Sequence, residues 1–236
     1  EVVPVNYAEA MKWYLLAAEQ GDAEAQYNLG YMYGLGEGVP VNYAEAMKWY
    51  RLAAEQGFAD AQYALGTMYS LGQGVEQDYA EAAKWYLLAA DQGHAEAQFT
   101  LGWTYNLGQG VEQDYAEAVK WYLLAAEQGH ADAQYNLALM YFDGEGVPVN
   151  YAEAVKWYRL AAEQCHAGAL GMVGAMYAEG FGVPVNYIQA YKLISLSSAL
   201  GDQKASGALD LLVSFMTSEQ IAEAQQQSGE VISACR

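Results

Sequence analysis

Asn42-Tyr43-Ala44-Glu45-Ala46-Met47-Lys48-Trp49-Tyr50-Arg51-Leu52-Ala53-Ala54-Glu55-Gln56-Gly57 is one copy of a stretch that recurs along the chain. Its tryptophan returns as Trp13, Trp49, Trp85, Trp121 and Trp157, each 36 residues after the last, with no insertion or deletion between. Tyr43 keeps step with Tyr7, Tyr79, Tyr115, Tyr151 and Tyr187, and Gly57 with Gly21, Gly93 and Gly129. So bulky a residue on so fixed a schedule marks a structural unit repeated in register. Each unit of such an array touches only its neighbours, and stability is roughly a sum of unit and interface contributions.

Within residues 42–77 the spacing predicts two helices. Asn42 and Glu45 form a capping-box pair: the Asn side chain accepts from a free backbone N–H of the first turn, and the Glu reaches back to the N–H of the cap. The pair recurs as Asn6/Glu9, Asp78/Glu81, Asp114/Glu117, Asn150/Glu153 and Asn186/Gln189, which predicts six helix starts. Tyr43, Ala46, Met47, Trp49, Tyr50, Ala53 and Ala54 follow at helical spacing, and Gly57 supplies a left-handed stop. In the second helix Ala61, Leu65, Met68 and Tyr69 mark the inner face, with Ala61 and Gly66 allowing close approach. Gly72-Gln73-Gly74-Val75 then turns the chain toward the next cap, closing a helical hairpin. Small residues leave room for Trp49, Tyr50 and Tyr69, so the aromatic ladder reads as core.

The pattern DYAEAxKWYxxAAxQGxAxAQxxLGxxYxxGxGV resembles the Sel1-like repeat, a relative of the tetratricopeptide repeat, over nearly the whole chain. The resemblance implies an all-α solenoid, a right-handed superhelix of antiparallel helix pairs that serves as an adaptor for other proteins. It sets units near 6–41, 42–77, 78–113, 114–149 and 150–185 and a divergent sixth at 186–216. Residues 217–236 read as a capping helix and tail, Thr217/Gln220 being a further capping box. The later units drift: Cys165 stands at the Gly129 position, Leu170 at Gln134, Leu193 at Trp157 and Val213 at Tyr177. Terminal repeats are commonly atypical because one side lacks a neighbour. The chain opens at Glu1-Val2-Val3-Pro4-Val5-Asn6, matching Glu37–Asn42, and so reads as cut inside a repeat with any targeting signal lost upstream. The near-identity of the copies and the family habit suggest a bacterial source and a periplasmic or secreted location.

No stretch approaches the roughly 18 apolar residues that span a bilayer, so membrane insertion is not expected. With 29 acidic and 10 basic residues the formal charge is −19. Such a surface repels phosphate, which argues against nucleic acid. It favours a neutral or basic partner, or else serves to keep a tyrosine-rich surface soluble. Cys165 and Cys235 sit in no CxxC pair, which removes the zinc and thioredoxin readings. They either pair across the last repeat and the tail in an oxidising compartment or remain two unrelated thiols.

No site for chemistry emerges. His94, His130 and His166 share one position of three repeats, but equivalent helices lie roughly 8–10 Å apart, too far for ligands that must each come within about 2 Å of one zinc. They read as exposed turn residues. The glycine-rich linkers lack a P-loop lysine and a preceding strand. Some relatives have been linked to penicillin binding, but no serine lies three residues before a lysine, as such a hydrolase needs. The residues before Lys12, Lys48, Lys84, Lys120 and Lys156 are glutamates, and those before Lys192 and Lys204 are Gln189 and Gly201. Neither an enzyme nor a bound cofactor or metal is expected.

Comparison of the copies suggests a binding face instead. On the second helix the positions that differ fall at i, i+4, i+7 and i+11, one stripe per helix. They read Glu24, Asn28, Tyr31, Leu35; Asp60, Ala64, Thr67, Leu71; Glu96, Thr100, Trp103, Leu107; and Asp132, Asn136, Leu139, Asp143. A similar pair on the first helix is Met11/Leu15, Met47/Arg51, Ala83/Leu87, Val119/Leu123 and Val155/Arg159. Tyr31, Trp103 and Leu139 are large and apolar where the scaffold does not require it, which suits a peptide or helix. Drift at an indifferent surface is the alternative. The expectation is a monomeric, non-catalytic scaffold for a protein or peptide, with glycan or cell-wall polymer recognition as a second possibility and a hydrolase as a third. Trp103, off the 36-residue schedule, is the foremost candidate.

Overall fold

The computed structural model describes residues 6–232 and Cys235; the opening segment 1–5 and residues 233, 234 and 236 lie outside them. Among the described residues there are thirteen helices and no strand. They fall into two compact units, divided between Asp114 and Tyr115. The first unit holds α1 (Tyr7–Glu19), α2 (Ala23–Leu35), α3 (Tyr43–Glu55), α4 (Ala59–Leu71), α5 (Tyr79–Asp91) and α6 (Ala95–Leu107). The second holds α7 (Tyr115–Glu127), α8 (Ala131–Asp143), α9 (Tyr151–Glu163), α10 (Ala167–Glu179), α11 (Tyr187–Ala199), α12 (Gln203–Val213) and α13 (Ser218–Ile232). Inside each unit α1 to α6 and α7 to α12 pack in chain order, the arrangement of an α-solenoid, and α13 lies against α11.

Every first helix begins one residue after its predicted cap. Asn42 Oδ1 accepts from the Glu45 N–H at 3.2 Å, and Asn6, Asp78, Asn150 and Asn186 act alike. The second half of the predicted box does not form there. The Asn42 N–H donates to the Tyr33 carbonyl at the end of α2, and Asp78, Asn150 and Asn186 do the same to Tyr69, Tyr141 and Tyr177. With that N–H taken, Glu45 turns outward to Lys48 at 3.4 Å, and Glu9 and Glu153 pair with Lys12 and Lys156. These exposed pairs contribute at most a few tenths of a kcal/mol each. At Thr217 and Gln220, where no such carbonyl competes, the reciprocal box is complete.

Helices meet closely because glycine faces a bulky side chain. A methyl group added at Gly30 would stand 2.6 Å from the Tyr50 ring, one at Gly66 2.7 Å from Tyr86, and one at Gly174 2.6 Å from Ile194. A glutamine ladder joins successive repeats beside these contacts. Buried Gln26 donates to the Ala18 carbonyl and accepts from Gln56 at 2.7 Å; Gln62 repeats this with Ala54 and Gln92, and Gln134 with Ala126 and Gln164. In the last interface both members change together, to Leu170 and Leu200.

Trp49 packs with Ala18, Ala25 and Leu29, and Trp85 packs against the cluster of Ala53, Ala61 and Leu65, so these scheduled tryptophans belong to the contact with the preceding repeat. Trp13 meets no earlier repeat among the described residues and is 66% exposed against 8% for Trp49. At the other end Asp210 occupies the place of Gly30, Gly66 and Gly174, and it is exposed. An unpaired carboxylate buried against a ring is strongly disfavoured. α12 therefore cannot receive another first helix in the manner of its predecessors, and α13 packs on α11 instead. Cys235 forms a disulfide with Cys165, in the turn between α9 and α10, across a separation of 70 residues.

Candidate functional site

The stripe that differs between copies lies along cavities in both units. In the first, a cavity of about 440 Å³ between α2, α3 and α4 is lined by Tyr27, Tyr31, Leu35, Tyr43, Tyr50, Asp60, Tyr63, Ala64 and Thr67, with His94 at its edge. Tyr31, Leu35, Asp60, Ala64 and Thr67 are stripe positions. The packing faces of the helices supply the other rings: Tyr27 lies 5.6 Å from Tyr50, and Tyr63 lies 5.6 Å from Tyr86. Burial raises the phenol pKa of Tyr27 and Tyr63, and Asp60 adds to the rise at Tyr27. These phenols stay neutral across the physiological range and offer ring faces and hydroxyls.

His94 is not the exposed turn residue that the sequence suggests. It caps α6, its Nδ1 accepting from the Ala97 N–H at 3.1 Å, while its ring stacks on Tyr63. That bond fixes the tautomer, so Nε2–H donates to Asp60 Oδ1 at 3.1 Å. His166 repeats the device with Ala169, Tyr135 and Asp132. The histidine position is thus a link between repeats. No group of three or more metal-ligating side chains occurs among the described residues.

In the second unit a cavity of about 490 Å³ is lined by Tyr135, Gly168, Met172, Ile194, Asp202, Lys204 and Ala208, and a neighbouring one of about 230 Å³ by Ala175, Glu179, Tyr187, Leu211 and Phe215. Gly168, Met172, Ala175 and Glu179 on α10, and Lys204, Ala208 and Leu211 on α12 with Phe215 in the turn just after it, are the fifth and sixth members of the stripe. Leu211 and Phe215 are 63% and 61% exposed. Sequence comparison stopped at the fourth copy and missed them, although a step of 36 residues from Leu139 and Asp143 leads to both helices.

The remaining candidates separate by helix. Trp103 is exposed on α6, while Asn28, Thr100, Asn136 and Leu139 are half-buried on their second helices. Thr67 donates to the Tyr63 carbonyl and Asn136 to that of Asp132, local bonds within the helix. On the first helices Met47, Ala83, Val119 and Val155 are buried, so in these four pairs only the second member reaches the surface, while Met11 is half-buried. Leu15 and Leu87 are exposed there and Leu123 is half-buried. Arg51 and Arg159 are tied down, donating to the Tyr69 and Tyr177 hydroxyls at 2.7 and 2.6 Å. The structure gathers Tyr31 and Thr67 into one cavity and leaves the first-helix candidates outside it.

Helix pairs of 36 residues packed in order define an all-α helical-repeat protein. The chain belongs to the Sel1 repeat family, whose repeat matches residues 1–22, 23–58, 59–94, 95–130, 131–164 and 167–202. It is similar to a Sel1 repeat protein from Oxalobacter formigenes, at 36% identity over 86% of this chain and 81% of that one, with a TM-score of 0.79. It is also similar to c5321, a protective antigen of uropathogenic Escherichia coli with an SLR fold, at 27% identity over 97% of this chain and 65% of that one, TM-score 0.56. A putative Sel1 repeat protein from Klebsiella pneumoniae, at 24% identity over 86% of this chain and 99% of that one, TM-score 0.51, shares the fold. Among curated proteins none matches. Sel1 repeat proteins generally act as protein-interaction scaffolds, and their all-helical fold is typically non-catalytic. No helix among the described residues is long and apolar enough to cross a membrane.

Proposed function

We propose that this chain is a non-catalytic scaffold whose second-helix face holds a neutral or basic protein or peptide partner. The observation that carries this reading is the coincidence of the variable stripe with the aromatic and apolar cavities of both units. Exposed Tyr31, Trp103, Leu211 and Phe215 offer the large anchors on which peptide recognition depends. The disulfide supports an oxidising location, periplasmic or extracellular. Asp210 supports a monomer, since it blocks α12 from receiving a first helix of another copy. Affinity capture with the intact chain beside a Tyr31→Ala/Trp103→Ala variant tests the face. A defined partner recovered by the first and lost from the second is expected; equal recovery by both would refute the assignment. The tyrosine walls also suit a sugar ring, and retention on an immobilised oligosaccharide that Trp103→Ala abolishes would favour the glycan reading.

A further inference from the structure

The cavity of the first unit joins two features that seldom meet without a purpose. Its walls are tyrosine rings, from Tyr27, Tyr31, Tyr43, Tyr50 and Tyr63, and its one charged lining group is the Asp60 carboxylate. No lysine or arginine lines it. Among the described residues Asp60 is engaged through Oδ1 alone, by the His94 Nε2–H, so Oδ2 keeps its acceptor capacity. His94 is held in turn by the backbone of α6 and by stacking on Tyr63, which fixes the carboxylate at the rim.

Aromatic faces attract a cation through the ring quadrupole when it lies within about 6 Å of a ring centre. A carboxylate beside them supplies a charge-assisted hydrogen bond. The surrounding field has the same sign, since the chain carries −19. The stripe cavities of the second unit are built differently: one sets Lys204 beside Tyr135 and Asp202, and the other sets Glu179 beside two rings, Tyr187 and Phe215, in place of five tyrosines.

We infer that this cavity is a subsite for a cationic side chain, a lysine or arginine presented by the bound peptide. The inference rests on the reading of the second-helix face as the binding face, and it names the chemistry that one part of that face selects.

Three small probes test it on the whole chain by amide and tyrosine NMR titration: n-butylguanidinium, its neutral counterpart n-butylurea, and butyrate. The expected result is saturable shifts centred on Tyr27, Tyr31 and Tyr63, with the guanidinium bound at least about fivefold more tightly than the urea and butyrate not bound. Asp60→Asn should bring guanidinium and urea within about twofold of each other. Glu112→Gln, which removes the same charge from an exposed linker position, should leave the ratio intact. Because Asp60→Asn also touches the cap of α6, Tyr31→Leu serves as a second variant and should weaken the guanidinium at unchanged helicity. Urea binding as tightly as guanidinium at these tyrosines overturns the cation preference while leaving the cavity a ligand site. Absence of any probe from the cavity, together with equal capture by the intact chain and the Tyr31→Ala/Trp103→Ala variant, overturns both readings.

Discussion

Cys165→Gly is expected to change sign with the redox state of the solution. Cys165 has φ +60°, the left-handed region, and is the non-glycine residue found there among the described residues. The same position in other repeats holds Gly21, Gly57, Gly93, Gly129 and Gly201, with φ between +87° and +98°. A Cβ at those glycines would meet nothing within 4 Å, so a side chain there costs backbone strain alone. That strain is about 1 kcal/mol for a non-glycine residue. Against it stands the bridge to Cys235, whose separation of 70 residues gives about 4 kcal/mol of loop-closure stabilisation in the chain-entropy account. With the bridge intact, Cys165→Gly should therefore lose about 3 kcal/mol, or roughly 6–12 °C in Tm for a chain of this size. Under excess reductant the bridge is gone from the parent as well, and the variant should exceed it by about 1 kcal/mol. Cys165→Ala keeps the strain and should match the reduced parent. Urea unfolding followed by circular dichroism, with and without reductant, reads all three. If Cys165→Gly is also the weaker protein under reductant, the strain argument fails; if it exceeds the oxidised parent by the same margin of about 1 kcal/mol, the bridge contributes nothing.

The repeat interior carries four further expected outcomes. Gly74 has φ +74° and a Cβ there would lie 2.7 Å from the Tyr43 backbone, whereas Gly57 has φ +87° and open space. Gly57→Ala should cost about 1 kcal/mol and Gly74→Ala at least about 3, because backbone cannot yield as a side chain can; equal thermal shifts would refute the contact. Gln62→Leu alone should cost about 1 kcal/mol by removing one hydrogen bond to the Ala54 carbonyl, which keeps the Gly57 N–H, and one from the Gln92 amide, which keeps the Leu88 carbonyl. Adding Gln92→Leu should cost less than the sum, by about 1 kcal/mol in a double-mutant cycle, as the paired change to Leu170 and Leu200 suggests; strict additivity would count against the ladder. Burial raises the pKa of Tyr50 and Tyr158 above 10, so the folded state favours the neutral phenol. The stability this gives is fully present below pH 10 and is lost as pH climbs from there toward the folded value. Alkaline unfolding should coincide with the rise in tyrosinate absorbance. Tyr158→Phe, which removes a buried hydroxyl without a hydrogen-bond partner, should be neutral or stabilising by up to about 1 kcal/mol.

The helix pairs were legible because cap, apolar face and glycine stop recur at the same offsets, and each is a local rule. Asn42 starts a helix whatever surrounds it, and Gly57 ends one. What escaped depends on partners distant in sequence. Glu45 has the right spacing to close its box, but the Tyr33 carbonyl reaches the Asn42 N–H first. His94 looked like a loose turn residue because Asp60, which it holds, lies 34 residues earlier. Tyr31 and Thr67 stand out in the sequence as variable positions on separate helices, while Tyr27, Tyr50 and Tyr63, which complete their cavity, carry the periodicity of core residues. A ring can pack with one face and line a cavity with the other, a division that periodicity does not reveal.

Asp210 gives the array a fixed end. Within each unit the second helices offer a small residue at this place (Gly30, Gly66, Ala138 or Gly174) and the first helix that follows a bulky side chain, so a repeat gained or lost inside a unit joins surfaces that already fit. Removing residues 43–78, for example, would set Gly30 opposite Tyr86 and Gln26 beside Gln92. The length of the second-helix face is thus open to change in steps of 36 residues. Beyond α12 that freedom stops. Such a chain is anchored by its last repeat, and its reach along a partner varies by whole units rather than by single substitutions.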